Sequence, residues 1–132
     1  MGAITKGVAK ILLVDDLPMV LEVISRLLGK LKHEVTTAGD AHEAMVLLSG
    51  PQSFDVAIID VLLKGTSGIE LAKHVRAEKP GLPMIAMTAH IGLVSPGSLA
   101  TLSGLGIEHV IEKPVNLGDL DAAVKGALRK KK

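Results

Sequence analysis

Hydrophobic residues along this chain follow two alternating rhythms. Short β-branched apolar runs are separated by longer stretches in which apolar residues recur every three or four positions, the pattern of a parallel sheet covered by helices on both faces. The runs predict strands over 8–14, 33–37, 54–59, 83–88 and 107–111. Two of them, Val56-Ala57-Ile58-Ile59 and Met84-Ile85-Ala86-Met87, lack any polar alternation and read as central strands buried on both sides.

The helical stretches are equally legible. Leu17, Leu21, Ile24 and Leu28 lie four, three and four apart with Val20, Leu27 and Leu31 beside them, so a helix is expected over 18–30 with Pro18 in its first turn. Asp40 followed by Glu43, and Ser67 followed by Glu70, fit capping boxes that open helices over 41–49 and 68–78, the second stopped by Pro80 and Gly81. Asn116 is expected to cap a last helix to about Arg129, with Asp119 and Asp121 in its first turn and basic residues in its last. The fourth unit is weaker. Residues 89–95 have no clean period, and Ser95-Pro96 reads as a cap and first helical position, so a long loop precedes a helix that ends by Ser103 or Gly104. The order is five βα units.

With 132 residues, the chain is expected to form one domain over 1–132, its core at about 9–128, with a short N-terminal lead and a basic C-terminal tail. Although 48% of residues are hydrophobic, no apolar run approaches the roughly 18 residues that a bilayer span requires. The absence of cysteine removes disulfide scaffolds, thiolate zinc sites and cysteine nucleophiles, and is compatible with a cytoplasmic location. Met1 to Lys6 has neither the cationic nor the apolar region of a signal peptide, and Lys6 takes the Ser/Thr place of a myristoylation motif. Arg129 to Lys132 hold four of the 15 basic residues, leaving 11 against 14 acidic ones elsewhere, so the body is mildly acidic and the tail reads as a solvated helix end. Phe54 is the single aromatic residue, which leaves no stacking platform for single-stranded nucleic acid.

In open parallel sheets, ligands bind beyond the carboxyl ends of the strands, near the point where strand order reverses. The residues just after the predicted strands are Asp15 and Asp16, Asp60, Thr88 and Lys113. Three carboxylates, a hydroxyl and an ammonium therefore converge on one rim. Each carboxylate pair at 4 Å repels by about 4 kcal/mol at an effective dielectric of 20. Lys113 supplies one compensating charge, and a hard divalent cation bound by few carboxylates and water, in the manner of Mg²⁺, supplies two. Phosphoryl transfer onto a carboxylate is the chemistry such a site favours. Singly, each feature has an ordinary reading: Asp-Asp as a turn or cap, Lys113 as a surface lysine, Thr88 as a strand-end residue, and Gly65 and Gly68 as turn residues. The five histidines, His33, His42, His74, His90 and His109, show no ligand spacing and read as surface or loop residues. Ile91, Leu93 and Val94 are either core beneath a loop or a partner patch.

This combination resembles the receiver domain of two-component response regulators. The likeness rests on Val14-Asp15-Asp16, on Asp60 followed by Leu63, Gly65 and Gly68, on Thr88-Ala89 and on Lys113-Pro114, and it covers essentially residues 9–128. It implies a doubly wound α/β fold of flavodoxin-like (βα)5 type, with a five-stranded parallel sheet in the order 2-1-3-4-5. It also implies a phosphoacceptor role for Asp60 and Mg²⁺ held by Asp15, Asp16, Asp60 and the Leu62 carbonyl. Lys113 would pair with the phosphoryl group, Thr88 would be the switch hydroxyl, and the peptide before Pro114 would be cis. The implied partners are a histidine kinase or histidine-phosphotransfer protein upstream and a further protein downstream. Such a domain takes part in its own phosphoryl chemistry without being an enzyme for a separate substrate.

Several positions depart from the family pattern. Val110 stands where an aromatic residue is usual, Val115 where Phe is common and Lys64 where Pro is common, and the interval from Thr88 to Lys113 is a few residues longer. His90 and Leu62 occupy positions that in the family influence dephosphorylation rate. Two rival functions follow. A degenerate receiver would act as a phosphorylation-independent scaffold, and an aspartate-nucleophile phosphatase would share the sheet but carry Asp-x-Asp and a cap domain. No Walker A or G-x-G-x-x-G motif follows a strand, so nucleotide enzymes are disfavoured.

Overall fold

A computed structural model of the chain describes residues 8–63 and 66–130. The expectations for the lead up to Lys6, for Lys64 and Gly65, and for Lys131 and Lys132 lie outside the described residues. Five strands, β1 (Lys10–Val14), β2 (Glu34–Ala38), β3 (Val56–Asp60), β6 (Met84–Thr88) and β7 (Val110–Glu112), form one parallel sheet in the order β2-β1-β3-β6-β7. Two two-residue strands, β4 (Leu62–Leu63) and β5 (Thr66–Ser67), make a separate antiparallel ribbon. With that ribbon set aside, the sheet order is 2-1-3-4-5. The chain reverses direction across the sheet between β1 and β3, and the carboxyl ends of those strands flank the resulting crevice.

Period-two alternation divides the core into two layers. Leu12, Val14, Ala57, Ile59, Met84 and Ala86 point to one side, where they meet α2 (Ala41–Ser49), α3 (Gly68–Glu78) and α4 (Pro96–Gly104). Ile11, Leu13, Val56, Ile58, Ile85 and Met87 point to the other, against α1 (Pro18–Lys30) and α5 (Leu117–Lys130). Every residue of β3 and β6 is buried, which is why their sequences carry no polar alternation.

The helix starts expected for α1 to α4 coincide with the observed ones. Asp40 caps α2 by accepting the Glu43 N–H at 2.7 Å, and the Glu43 carboxylate reaches back to the Gly39 N–H at 2.7 Å. The return bond at α2 thus goes to the residue before the cap, and at α3 no return bond forms among the described residues. Ser67 Oγ accepts the Ile69 N–H at 3.1 Å, and Glu70 turns forward to pair with Lys73 at 3.1 Å. Asn116 Oδ1 accepts the Asp119 N–H at 2.8 Å, as expected of the α5 cap.

The last sheet strand is shorter than its apolar run. Gly106 adopts a left-handed φ of 84°, and the Ile107 N–H donates to the Leu102 carbonyl at 2.9 Å, closing α4 in a Schellman turn. Ile107 is buried, but its N–H is committed to the helix, so sheet pairing begins with the His109 carbonyl, which accepts from Ala86. Lys32, with φ 74°, closes α1 through the same turn, in which the His33 N–H donates to the Leu28 carbonyl at 3.0 Å.

His33 corrects the surface reading of the histidines. It is buried, and its Nδ1 accepts the Ala9 N–H at 2.9 Å, so the ring serves as a backbone acceptor at the start of β1. His42, His74 and His90 are exposed, and His109 lies half-buried against Gly126.

Candidate functional site: an acidic crevice closed by one lysine

The site grows from two identical local turns. Asp15 leaves β1 and accepts the Leu17 N–H on Oδ1 at 2.9 Å, while Asp60 ends β3 and accepts the Leu62 N–H on Oδ1 at 3.0 Å. Each turn uses one carboxylate oxygen to fix the side chain and leaves Oδ2 facing the crevice. Lys113, just beyond β7, fills the space between them with its Nζ 2.7 Å from Asp15 Oδ2 and 2.8 Å from Asp60 Oδ2. The β7 register holds that lysine in place, because the Lys113 N–H donates to the Thr88 carbonyl at 2.8 Å. The Lys113–Pro114 peptide is cis.

Gly68 is what lets the loop after Asp60 close so tightly. Its N–H donates to the Val61 carbonyl at 2.8 Å, and a Cβ there would overlap the Asp60 carbonyl oxygen. In the sequence, Gly68 reads singly as a turn residue and in combination as part of the loop that follows Asp60. In the structure, its missing side chain is the condition for α3 to start beneath the candidate acceptor.

Asp15 and Asp60 are buried, and Asp16 is half-buried. Burial raises the Asp60 carboxyl above the usual range, and the nearby Asp15 charge adds to it, against the opposing pull of Lys113 and the Leu62 N–H. For Lys113, burial works to lower the ammonium's pKa, but the adjacent Asp15 and Asp60 carboxylates outweigh it, and the net shift is upward. The lysine is therefore held charged.

Lys113 brings one positive charge to a crevice lined by three carboxylates. Asp15, Asp16 and Asp60 each offer an oxygen within 4.8 Å of the others'. Asp15 Oδ2 is buried and, although 2.7 Å from the ammonium nitrogen, lacks an aligned hydrogen bond. Such a donor set, all hard oxygen with an underused buried lone pair, fits a hard divalent cation. Thr88 is buried at the end of β6, its Oγ1 accepting the His90 N–H at 3.2 Å and donating to the His90 carbonyl at 3.3 Å. The structure thus brings Asp15, Asp16, Asp60 and Lys113 together, with Thr88 at the end of β6 and Leu62 at the start of β4. Ile91 and Leu93 are exposed, at 42% and 82%, so for these two the reading as core is excluded.

Comparison with known proteins agrees with this geometry. The response regulator receiver domain family matches residues 11–125, and the chain belongs to that family. The probable transcriptional regulatory protein TcrX of Mycobacterium tuberculosis is 32% identical over 91% of this chain, and the response regulator protein PilR of Pseudomonas aeruginosa is 34% identical over 91%. This chain spans 50% and 26% of their respective lengths. Among solved structures, a CheY-like receiver domain protein of Methanospirillum hungatei superposes with a TM-score of 0.85 at 27% identity, covering 94% of this chain and 96% of that one. The response regulator protein TrrA of Thermotoga maritima, solved in complex with Mg²⁺ and beryllofluoride, gives 0.77 at 30% identity, covering 90% and 98%. The chain is therefore a receiver domain of the two-component signalling type.

Sequence reasoning did not reach Glu112 beside this site, nor Arg76 at the opposite end of the sheet's strands. Glu112, next to Lys113, accepts the Ile91 N–H at 3.1 Å, and Arg76 ties α3 to the loops before β6 and β7 by donating to the carbonyls of Leu105, Pro80 and Leu82. A charged residue beside a motif lysine carries no periodic signal. Its partner is set by strand register and side-chain rotamer.

Proposed function

We propose that Asp60 accepts a phosphoryl group from the phosphohistidine of a histidine kinase or histidine-phosphotransfer protein, in the cytoplasm, and that acceptance alters a face read by a downstream protein. The observation that carries this reading is the Lys113 ammonium bridging Asp15 Oδ2 and Asp60 Oδ2 at 2.7 and 2.8 Å. An Asp60 oxygen attacks phosphorus, a P–O bond forms as the P–N bond breaks, and the leaving imidazole is protonated. Lys113 neutralises charge on the transferring oxygens, and the Asp15 turn holds the ammonium in line. Mg²⁺, held by Asp15, Asp16, Asp60 and the Leu62 carbonyl, would supply the remaining positive charge. Thr88 then turns its hydroxyl from His90 to a phosphoryl oxygen. This is autocatalysed modification of a signalling domain, not turnover of a separate substrate.

The test is intact mass after exposure to acetyl phosphate, with Mg²⁺ or with EDTA. Wild type should gain one phosphoryl group with Mg²⁺ and none with EDTA, and Asp60→Asn should gain none in either condition. Equal uptake by the mutant would remove Asp60 as the acceptor. A folded wild type that gains nothing would favour the phosphorylation-independent scaffold, a reading that Val110 keeps in view because it lacks the usual aromatic ring.

A further inference from the structure

The turn at Ile91–Leu93 sits between Thr88 and α4, and none of its residues is buried. Burial of apolar surface therefore contributes little to holding it, and polar tethers must do so. One tether is the Thr88 hydroxyl, which makes both of its contacts with the His90 backbone. The other comes from the neighbouring strand. Glu112 lies opposite Thr88 in the β6–β7 register, and its Oε2 accepts the Ile91 N–H at 3.1 Å while standing 3.5 Å from His90 Nδ1.

Strand alternation puts Glu112 on the same face as Val110, two residues back, which packs against the core layer that also holds α3 and α4. Val110 is short and stiff about χ1, so it has no large group to swing between two positions. Glu112 has the length to reach the turn. We propose that Glu112 is a latch, a positioning residue that docks the 91–93 turn on β7 while the Thr88 hydroxyl is engaged with His90. When Thr88 leaves His90 for a phosphoryl oxygen, Glu112 is the remaining tether from β7, and its hold sets how far the turn moves. The second half of this inference rests on the acceptor role of Asp60; the first half does not.

Hydrogen exchange on the full chain tests it, using wild type, Glu112→Ala and Glu112→Gln, each alone and with Mg²⁺ plus beryllofluoride. Glu112 is exposed, so neither substitution empties the core. Without beryllofluoride, Glu112→Ala should exchange the Ile91, Leu93 and Val94 amides about tenfold faster, the loss expected for one hydrogen bond to a charged acceptor. Protection over 41–49 should be unchanged. Glu112→Gln keeps a carbonyl oxygen for the Ile91 N–H and should retain most of the protection. Beryllofluoride should increase exchange at these amides modestly in wild type, where Glu112 still holds the turn, and further in Glu112→Ala, where the Thr88–His90 contact is the tether that remains. Wild-type protection at Ile91 in Glu112→Ala, or equal loss in the Gln and Ala variants, would overturn the latch. Acetyl phosphate mass spectrometry on the same samples keeps the two readings apart: a wild type that takes no phosphoryl group defeats the acceptor role, while exchange without beryllofluoride still decides whether Glu112 holds the turn.

Discussion

Helix α1 runs thirteen residues and sends Ile24 and Leu28 fully into the core, with Val20, Leu21 and Leu27 packed beside them. Helix α4 runs nine and buries Leu102 alone. Both close with the same Schellman turn, so the difference lies in what precedes and covers each helix. α1 follows Asp15 after only Asp16 and Leu17, whereas α4 follows Thr88 only after an exposed turn with no buried residue. The comparison separates two tasks. The carboxylates and Lys113 are fixed by turns at the ends of buried strands, while the segment that would report on them is held by a few polar contacts. A site needs preorganised groups, and a reporter needs conformers of similar energy.

The largest effect should come from damage to the rigid side. In Gly68→Ala the new Cβ meets backbone atoms of Asp60 and Val61 that have no side-chain freedom to move aside. Overpacking of this kind should cost about 3 kcal/mol. Gly29→Ala in α1, whose Cβ would meet nothing, should instead raise stability by about 0.5–1 kcal/mol. Urea unfolding of the two variants checks the pair. A Gly68→Ala protein as stable as wild type would mean that the loop beneath Asp60 is as yielding as the one after Thr88.

His33 sharpens the same contrast through pH. Burial lowers its pKa below the ordinary value of 6.5, with the Asp121 charge working in the opposite direction. The unfolded chain therefore binds a proton at His33 more readily than the folded one, and stability falls as pH drops below about 6.5. The loss is complete once pH is below the depressed folded value. Protonation removes the Nδ1 lone pair that accepts the Ala9 N–H, and an orphaned buried donor costs about 1–3 kcal/mol. Urea midpoints between pH 7.5 and 5.5 should decline in wild type and decline less in His33→Gln. Identical slopes would mean that another group carries the acid sensitivity.

The sequence made the elements of both regions legible, because period two marks buried strands and period three to four marks amphipathic helices. Asp15, Asp16, Asp60 and Lys113 were readable for a related reason: topology requires that residues following parallel strands share a rim. Side-chain partners were not readable. His33 reads as a surface residue until the Schellman turn at Lys32 swings it under β1, and the Ser67–Glu70 spacing suits a capping box until Lys73 competes for the carboxylate. The Glu112 contact with Ile91 joins positions 21 residues apart across two strands. Register and rotamer decide such pairs, and neither leaves a trace in spacing.

The smallest effect should appear at the start of α4. Ser95 Oγ accepts the Ser98 N–H at 3.0 Å, the cap that the Ser95-Pro96 pair suggested. Loss of such a cap costs about 1 kcal/mol in Ser95→Ala. How that cost is expressed depends on whether α4 opens alone. Nine residues make a marginal helix in isolation, and this one carries Gly97 and Gly104 with a single buried anchor. If it opens independently of the sheet, amides over 98–104 should exchange about fivefold faster while the global urea midpoint barely moves. Asp40→Ala removes an equivalent cap from α2, whose Ala44 and Leu48 are buried in the shared core layer, so its cost should appear in the global midpoint. A Ser95→Ala protein that loses global stability as much as Asp40→Ala, with no selective exchange in α4, would show that the fourth unit unfolds with the rest of the domain. The contrast in burial would then carry no contrast in motion, and release of the turn after Thr88 would have to stop short of α4.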